Sequence, residues 1–118
     1  SRIFLVLVEL IMATRSENLR FGNLLMVKYK FDDAGDEIPE HHHDLGRDHI
    51  TLVTNGKVSV WRDGRKNETL SPGQIATYSP EQDHRLVAEE PGSILYNIWQ
   101  STEGLMVHFD LSQGDLPV

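Results

Sequence analysis

The chain consists of short runs of β-branched and aromatic residues separated by turn residues, and no stretch has the apolar spacing of an amphipathic helix. Val, Ile, Tyr, Phe and Trp favour strands, whereas Gly, Pro, Asn and Asp interrupt them. Such a pattern is typical of a β-sandwich or a β-barrel. We therefore predict an all-β, single antiparallel β-barrel, with strands at residues 24–31, 38–43, 49–54, 57–62, 68–70, 74–79, 85–89, 93–100 and 105–111.

Two dipeptides predict tight hairpins within this barrel. Asn55-Gly56 lies between Val53 and Val58, and both of its residues tolerate a positive φ, as a two-residue hairpin turn requires. Asp63-Gly64 is a second signal of the same kind. The length of 118 residues fits one domain. We place the barrel at residues 24–111.

The first segment, residues 1–13, is the most apolar part of the chain. It is shorter than the roughly 20 apolar residues that cross a bilayer, and it has no small-residue cleavage site of a secretory signal. We interpret it as an apolar N-terminal strand or a non-native extension of the domain, and we expect no membrane partner and a cytoplasmic location. Because an exposed apolar edge strand invites association, we also expect a homodimer.

Composition narrows the chemistry of any site. The chain has no cysteine, which excludes disulfides, thiolate zinc sites, iron–sulfur clusters and a cysteine nucleophile. It has six histidines, and 11 basic against 18 acidic residues give a net charge of −7. Since binding to phosphate backbones needs clustered Lys and Arg, no nucleic-acid partner is expected. A tightly held metal would have to be bound mainly by imidazoles.

Four of the histidines have positions that suit metal ligands. His41 and His43 are two residues apart, so on a strand they point to one face, while His42 points to the other. His49 opens the next predicted strand, and His84 follows a tight turn farther along the chain. Three or four imidazoles suit several divalent metals. The sixth histidine, His108, lies on the side of its predicted strand opposite the apolar residues, so we predict that it is on the polar surface.

This arrangement resembles the two motifs of the cupin family. In the first motif, Gly35, His41, His43 and Gly56 fall in place, and His49 stands where the family usually has Glu, after a spacer one residue longer than usual. In the second motif, Gly73 and His84 match at the full spacing, with Ser79, Glu81 and Ala88 replacing Pro, Gly and Asn. The resemblance covers about residues 24–108. It implies a double-stranded β-helix, or jelly roll.

The resemblance also implies a divalent metal ion, Fe, Zn, Mn or Ni, bound inside the barrel by His41, His43, His49 and His84. His49 is the least regular of these ligands because of the longer spacer, and the neighbouring Asp48 is the alternative oxygen ligand. A neutral imidazole in place of a carboxylate removes one negative charge from around the metal ion. Such a site should favour anionic ligands.

Four functions remain open for such a site. The first is a metal-dependent enzyme acting on a small organic, possibly anionic, molecule, such as a dioxygenase, and the second is a metal-dependent isomerase or lyase. The others are a non-catalytic ligand-binding or sensor protein and a structural or assembly protein whose metal only braces the fold. The catalytic residues are unknown, and the only base candidates are Tyr78, Glu81 and His108. The candidate pocket-wall residues are Met26, Lys28, Arg47, Tyr78, Tyr96, Asn97 and Trp99.

Overall fold

A computed structural model describes residues 13–41 and 49–100 of the chain. These residues form nine β-strands and no helix. The strands are β1 (Thr14–Phe21), β2 (Leu24–Phe31), β3 (Glu37–His41), β4 (His49–Asn55), β5 (Val58–Arg62), β6 (Arg65–Leu70), β7 (Ile75–Thr77), β8 (His84–Ala88) and β9 (Ser93–Gln100). No helix in the described segments has the length and apolar character needed to cross a membrane.

The strands form two antiparallel sheets. The five-stranded sheet has the order β1-β2-β9-β4-β7, and the four-stranded sheet has the order β3-β8-β5-β6. One face of each sheet is buried, because side chains alternate between inside and outside along a strand. The resulting core contains Val27, Phe31, Val60, Leu86 and Leu95, none of which is exposed. The predicted all-β barrel is therefore confirmed for the described residues.

The opposite surface of the five-stranded sheet, which we call the outer face, is also apolar. The outward-pointing side chains of β2, β4 and β9 are only partly buried, among them Met26, Ile50, Leu52, Tyr96 and Ile98. Pairing in register aligns Met26 with Ile98 and Ile98 with Ile50 across three strands. The sheet therefore has an apolar core side and an apolar outer side.

One strand was not predicted from the sequence. β1 runs through Thr14–Phe21 and pairs with β2, with Phe21 opposite Leu24 and the turn at Gly22-Asn23 between them. Its sequence is mostly polar and lacks apolar alternation. Because β1 is an edge strand that pairs on one side only, backbone pairing rather than burial determines its position.

The predicted hairpin at Asn55-Gly56 is wrong. β4 and β5 lie in different sheets, so this turn carries the chain from one sheet to the other. Gly56 has φ +73°, and a Cβ on it would collide with Ser93 Oγ. The glycine is required by this close approach as well as by its φ. By contrast, the hairpin at Asp63-Gly64 is confirmed, because β5 and β6 pair directly across it.

Several predictions lie outside the described residues. They concern most of the apolar first segment, the predicted strand at 105–111, and the C-terminal end of the barrel at residue 111. These predictions stay as they were made.

Candidate functional site

Three of the four predicted metal ligands converge at one end of the barrel. His41 ends β3, His84 begins β8 and His49 begins β4 of the other sheet. The ring centroids of His41 and His84 are 4.2 Å apart, and those of His49 and His84 are 5.5 Å apart. The cluster therefore joins the two sheets at the barrel rim. His43, the fourth predicted ligand, lies outside the described residues.

A β-bulge brings His41 opposite His84. Ile38 pairs with Leu86, but His41 pairs with His84, so β3 has one residue more than β8 between these two pairs. Strict alternation from the buried Ile38 would turn residue 40 inward and His41 outward. The extra residue reverses this alternation, as bulges do next to functional sites. Pro39 lies in the irregular part of β3, where the missing N–H is tolerated.

His41 and His84 share the same hydrogen-bonding pattern at Nδ1. His41 Nδ1 lies 2.6 Å from the carbonyl oxygen of Pro39, and His84 Nδ1 lies 3.0 Å from that of Gln82. A carbonyl oxygen only accepts hydrogen bonds, so Nδ1 is the protonated nitrogen in both rings. Nε2 then carries the lone pair, and it is buried in both rings. This is the tautomer in which histidine binds a metal through Nε2.

Burial also keeps His84 neutral. Removal from water lowers the pKa of His84 from its ordinary value of 6.5 to about 4, and the neighbouring His41 and Arg62 lower it further. The carbonyl oxygen of Gln82 acts in the opposite direction, but its effect on the pKa is smaller than that of burial. A neutral imidazole at pH 7 has a lone pair available for a metal ion.

A hydrogen-bonded chain supports the histidines from the side of the five-stranded sheet. The Thr51 hydroxyl donates to Asn97 Oδ1 at 2.7 Å, so the Tyr78 hydroxyl is the donor in its 2.6 Å contact with Thr51 Oγ1. The Tyr78 ring stacks on His84 at 4.1 Å between centroids and lies 4.8 Å from His49. Burial raises the pKa of Tyr78 to about 12. Tyr78 is therefore a donor that orients its neighbours, and the expectation that it acts as a base is not supported.

In β9, Asn97 and Trp99 are the predicted wall residues that face the barrel interior. Both side chains point into the barrel and are almost completely buried, and Trp99 stacks on His49 with centroids 4.8 Å apart. Within the described part of the chain, Asn97 Nδ2 and Trp99 Nε1 have no hydrogen-bond acceptor. Two buried N–H donors therefore face the barrel interior next to the histidines.

Other pocket-wall predictions are wrong. Met26, Lys28 and Tyr96 alternate with the buried residues of β2 and β9, so they lie on the outer face. Lys28 therefore cannot bind a carboxylate in the barrel. Glu81 is exposed in a turn at φ +62°, so it is not a base in the site. Arg47, Asp48, His42 and His108 lie outside the described residues.

Sequence reasoning missed Arg62. Its guanidinium lies 5.4 Å from the centre of the Tyr78 ring, donates to the carbonyl oxygen of Thr77 at 2.8 Å, and is 3.5 Å from a Glu68 carboxylate oxygen. The side chain is only 16% exposed. Alternation from Val58 and Val60 could have placed it inward. Arg62 brings a positive charge to the rim beside the histidine cluster.

A cavity of about 360 Å³ lies beside this cluster. Its walls include His49 and Tyr78 together with Leu24, Ile50 and Ile98 from the outer face. This volume is within the range of small-molecule sites. The cavity therefore borders both the histidine cluster and the outer face.

The nitrogen donors of this cluster can be compared with the ligands that a divalent metal ion needs. Within residues 13–41 and 49–100, no three histidine, aspartate or glutamate side chains are arranged to hold a metal ion together. The individual donors nevertheless fit a divalent metal, because two rings have Nδ1 directed to a backbone carbonyl and all three have a buried Nε2. His43 and Asp48 are the remaining predicted donors.

Comparisons with known proteins agree with this fold. The structure of KdgF from Halomonas sp. is 26% identical, with a TM-score of 0.62 over 75% of this chain and 80% of that one. An RmlC-like cupin from Shewanella frigidimarina NCIMB 400 is 27% identical, with a TM-score of 0.57 over 75% and 77% of the two chains. A protein with a double-stranded β-helix domain from Klebsiella pneumoniae, at 23% identity, has a TM-score of 0.63 over 75% and 76%.

Sequence comparison identifies the family directly. No curated protein matches the chain. The sequence profile of the AraC-like ligand binding domain, however, matches residues 23–104, which is more than two thirds of the chain. The solved cupin structures agree with that match in fold. The chain therefore belongs to the AraC-like ligand-binding domain family of the cupin superfamily.

Proposed function

We propose that this protein binds a divalent metal ion, Fe, Zn, Mn or Ni, and with it a small anionic organic molecule inside the barrel. His41, His49 and His84 would hold the metal together with His43. The main support is the hydrogen bonding that His41 and His84 share. In each ring, Nδ1 faces the backbone carbonyl two residues earlier in the chain, and Nε2 is buried. When bound, the metal would supply a Lewis-acid centre and, if it is iron, redox chemistry with O₂.

The residues around the histidines support an anionic ligand with hydrogen-bond acceptors. Asn97 Nδ2 and Trp99 Nε1 are buried donors, and leaving such a donor without an acceptor costs about 1–3 kcal/mol. A ligand oxygen atom placed near them would remove this cost. Arg62 lies at the rim beside the Glu68 carboxylate that compensates its charge, and an all-imidazole site adds no negative charge of its own. The description of the family as ligand-binding domains agrees with this assignment.

A metal-dependent dioxygenase is the second candidate. Among the described residues around the site, Tyr78 is a donor with a raised pKa and Glu81 is exposed, so neither provides the base that an isomerase or lyase would need. Oxygenation by a metal centre needs no such base from the protein. If the protein turns its ligand over, the absence of a base at Tyr78 and Glu81 therefore favours an oxygenase over an isomerase or lyase. Substrate-dependent O₂ consumption would separate an oxygenase from a binding protein.

The metal assignment is tested with the double substitution His41→Ala and His43→Ala. We expect elemental analysis to find about one divalent metal per chain in the wild type and a loss of at least tenfold in the variant, because two ligands are removed. A matched control replaces an exposed ion pair away from the histidines, Lys30→Ala with Asp32→Ala, and should retain the metal. Unchanged metal content in a folded His41/His43 variant would falsify the site.

A further inference from the structure

Arg62 belongs to the same row of inward-facing side chains as two of the histidines. On β8, His84 lies opposite His41 on one side and opposite Arg62 on the other. Val60, two residues before Arg62, is fully buried in the core, so alternation along β5 also turns Arg62 inward. Directly opposed side chains on one face of a sheet have Cβ atoms about 4.5–5.5 Å apart. The guanidinium group therefore continues the line of imidazoles across the four-stranded sheet.

Neutral groups hold this guanidinium group in place. Nη2 of Arg62 donates to the carbonyl oxygen of Thr77 at 2.8 Å, and the guanidinium carbon lies 5.4 Å from the centre of the Tyr78 ring. Neither of these contacts brings a negative charge. Because the side chain is only 16% exposed, water solvates its charge only in part. A charge in such a place needs an anionic partner.

Among the described residues, Glu68 provides a negative charge for Arg62, and it is held loosely. One carboxylate oxygen of Glu68 lies 3.5 Å from Nη2 of Arg62, whereas a hydrogen bond between such charged groups is about 2.7–2.9 Å long. The Glu68 side chain is 41% exposed and also lines a second cavity, of about 380 Å³, with Thr69 and Gln74. Ion pairs with this much exposure stabilise a protein little. Glu68 can therefore leave Arg62 and turn toward the second cavity.

A ligand carboxylate and Glu68 compete for the same nitrogen atom. Nη2 belongs to both edges of the guanidinium group on which a carboxylate can form two parallel hydrogen bonds. Thr77 takes one of its two hydrogens, so a bidentate carboxylate must take the other, and Glu68 contacts the same nitrogen. We infer that Arg62 selects ligands that carry a carboxylate group, which replaces Glu68 on the guanidinium group. This inference rests on the proposed function and assigns its ligand to the small organic acids.

NMR titration of the full chain tests this inference with acetate, pyruvate and succinate, each compared with its amide. We expect the acids to bind and to shift the Nε–H signal of Arg62, and the amides to leave it in place. Glu68→Gln should lower the dissociation constant of the acids at least threefold, which corresponds to a Glu68 that occupies Arg62 about two thirds of the time. The matched control, Glu90→Gln, removes the same charge from the exposed pair with Lys57 and should leave the dissociation constant unchanged.

A second variant and the metal content separate this inference from the proposed metal site. We expect Arg62→Lys to weaken acid binding at least tenfold and to retain the metal, because lysine keeps the charge but cannot form two parallel hydrogen bonds. If Glu68→Gln or a folded Arg62→Lys binds the acids as the wild type does, the inference is overturned while the metal site stands. It is also overturned if none of the acids binds the wild type, whatever its metal content. A metal-free wild type that shows the expected changes contradicts the metal site and supports the role of Arg62.

Discussion

Thr51 links the tyrosine beside the histidines to the buried amide of β9. It is fully buried, donates to Asn97 and accepts from Tyr78, so one hydroxyl fixes a side chain of β9 and a side chain that follows β7. Tyr78 in turn packs on His84. The position of an imidazole at the rim therefore depends on a threonine two residues farther along β4 than His49.

Replacing Thr51 by Val tests this dependence. Valine has nearly the same shape, but it leaves Asn97 Oδ1 and the Tyr78 hydroxyl without their buried partner. We expect the free energy of unfolding in urea to fall by about 1–3 kcal/mol. Thr51→Ser should recover most of the loss, whereas Thr69→Val, at an exposed site, should change stability by less than about 0.5 kcal/mol. Equal stabilities of Thr51→Val and the wild type would contradict the role of the hydroxyl.

At the scale of single residues, the sequence predicted the histidines of the site but not the side chains that contact them. His41, His49 and His84 lie together as expected, because the two motifs place them on strands that meet at one rim. Arg62 and the Thr51 hydrogen bonds were missed. Alternation from Val58 and Val60 could have placed Arg62 inward. The hydrogen bonds from Arg62 to Thr77 and from Tyr78 to Thr51 join residues at least 15 positions apart, and no local pattern predicts those partners.

The turn between β4 and β5 connects the two sheets, and it does so at a glycine. Ser93 Oγ accepts a hydrogen bond from Lys57 N at 3.2 Å and donates to the carbonyl oxygen of Glu90 at 2.7 Å. The Gly56 backbone lies against this serine. The start of β9 is thereby tied to the point where the chain changes sheets.

We expect Gly56→Ala to be much more damaging than Gly64→Ala. Both glycines have a positive φ, +73° and +79°, so both alanines suffer a similar backbone strain of about 1–2 kcal/mol. Only at Gly56 would the new methyl group collide with another residue, Ser93. The difference in free energy of unfolding should be at least about 1 kcal/mol. Equal losses for the two variants would show that Ser93 moves aside freely.

The pattern of strands was more predictable than their pairing. Turn residues and alternating burial define eight of the nine described strands within a few residues. Asn55-Gly56 has the composition of a hairpin turn, but composition does not report that the next strand pairs with β6 and β8 instead of β4. Pairing between distant strands is decided by how the two sheets close around the core.

The whole molecule combines a net charge of −7 with a sheet face that is apolar. Two copies that meet through this face must overcome the repulsion of their net charges. Salt screens that repulsion, since the Debye length falls from about 30 Å at 0.01 M to about 10 Å at 0.1 M. Apolar contacts are not weakened in this way.

If two chains form the homodimer that the sequence predicts, we expect their association to become tighter when sodium chloride is raised from low to high concentration. Sedimentation equilibrium across a dilution series measures the dissociation constant at each salt concentration. Ile98→Asp, which places a charge at the centre of the outer face, serves as the control, and its molar mass should depend less on salt. Weaker association at high salt would mean that ion pairs, not the apolar face, hold the two copies together.

The bulge in β3 decides whether the side chain of His41 faces the barrel interior or the surface. His41 reaches the barrel interior because of the number of residues that separate it from Ile38, not because of their identity. A substitution at Pro39 or Glu40 leaves that number unchanged. A gain of one residue in this short stretch is a single step that turns a surface histidine toward its partner on the neighbouring strand. Insertions and deletions, more than point substitutions, are therefore the changes by which related barrels would acquire or lose this cluster.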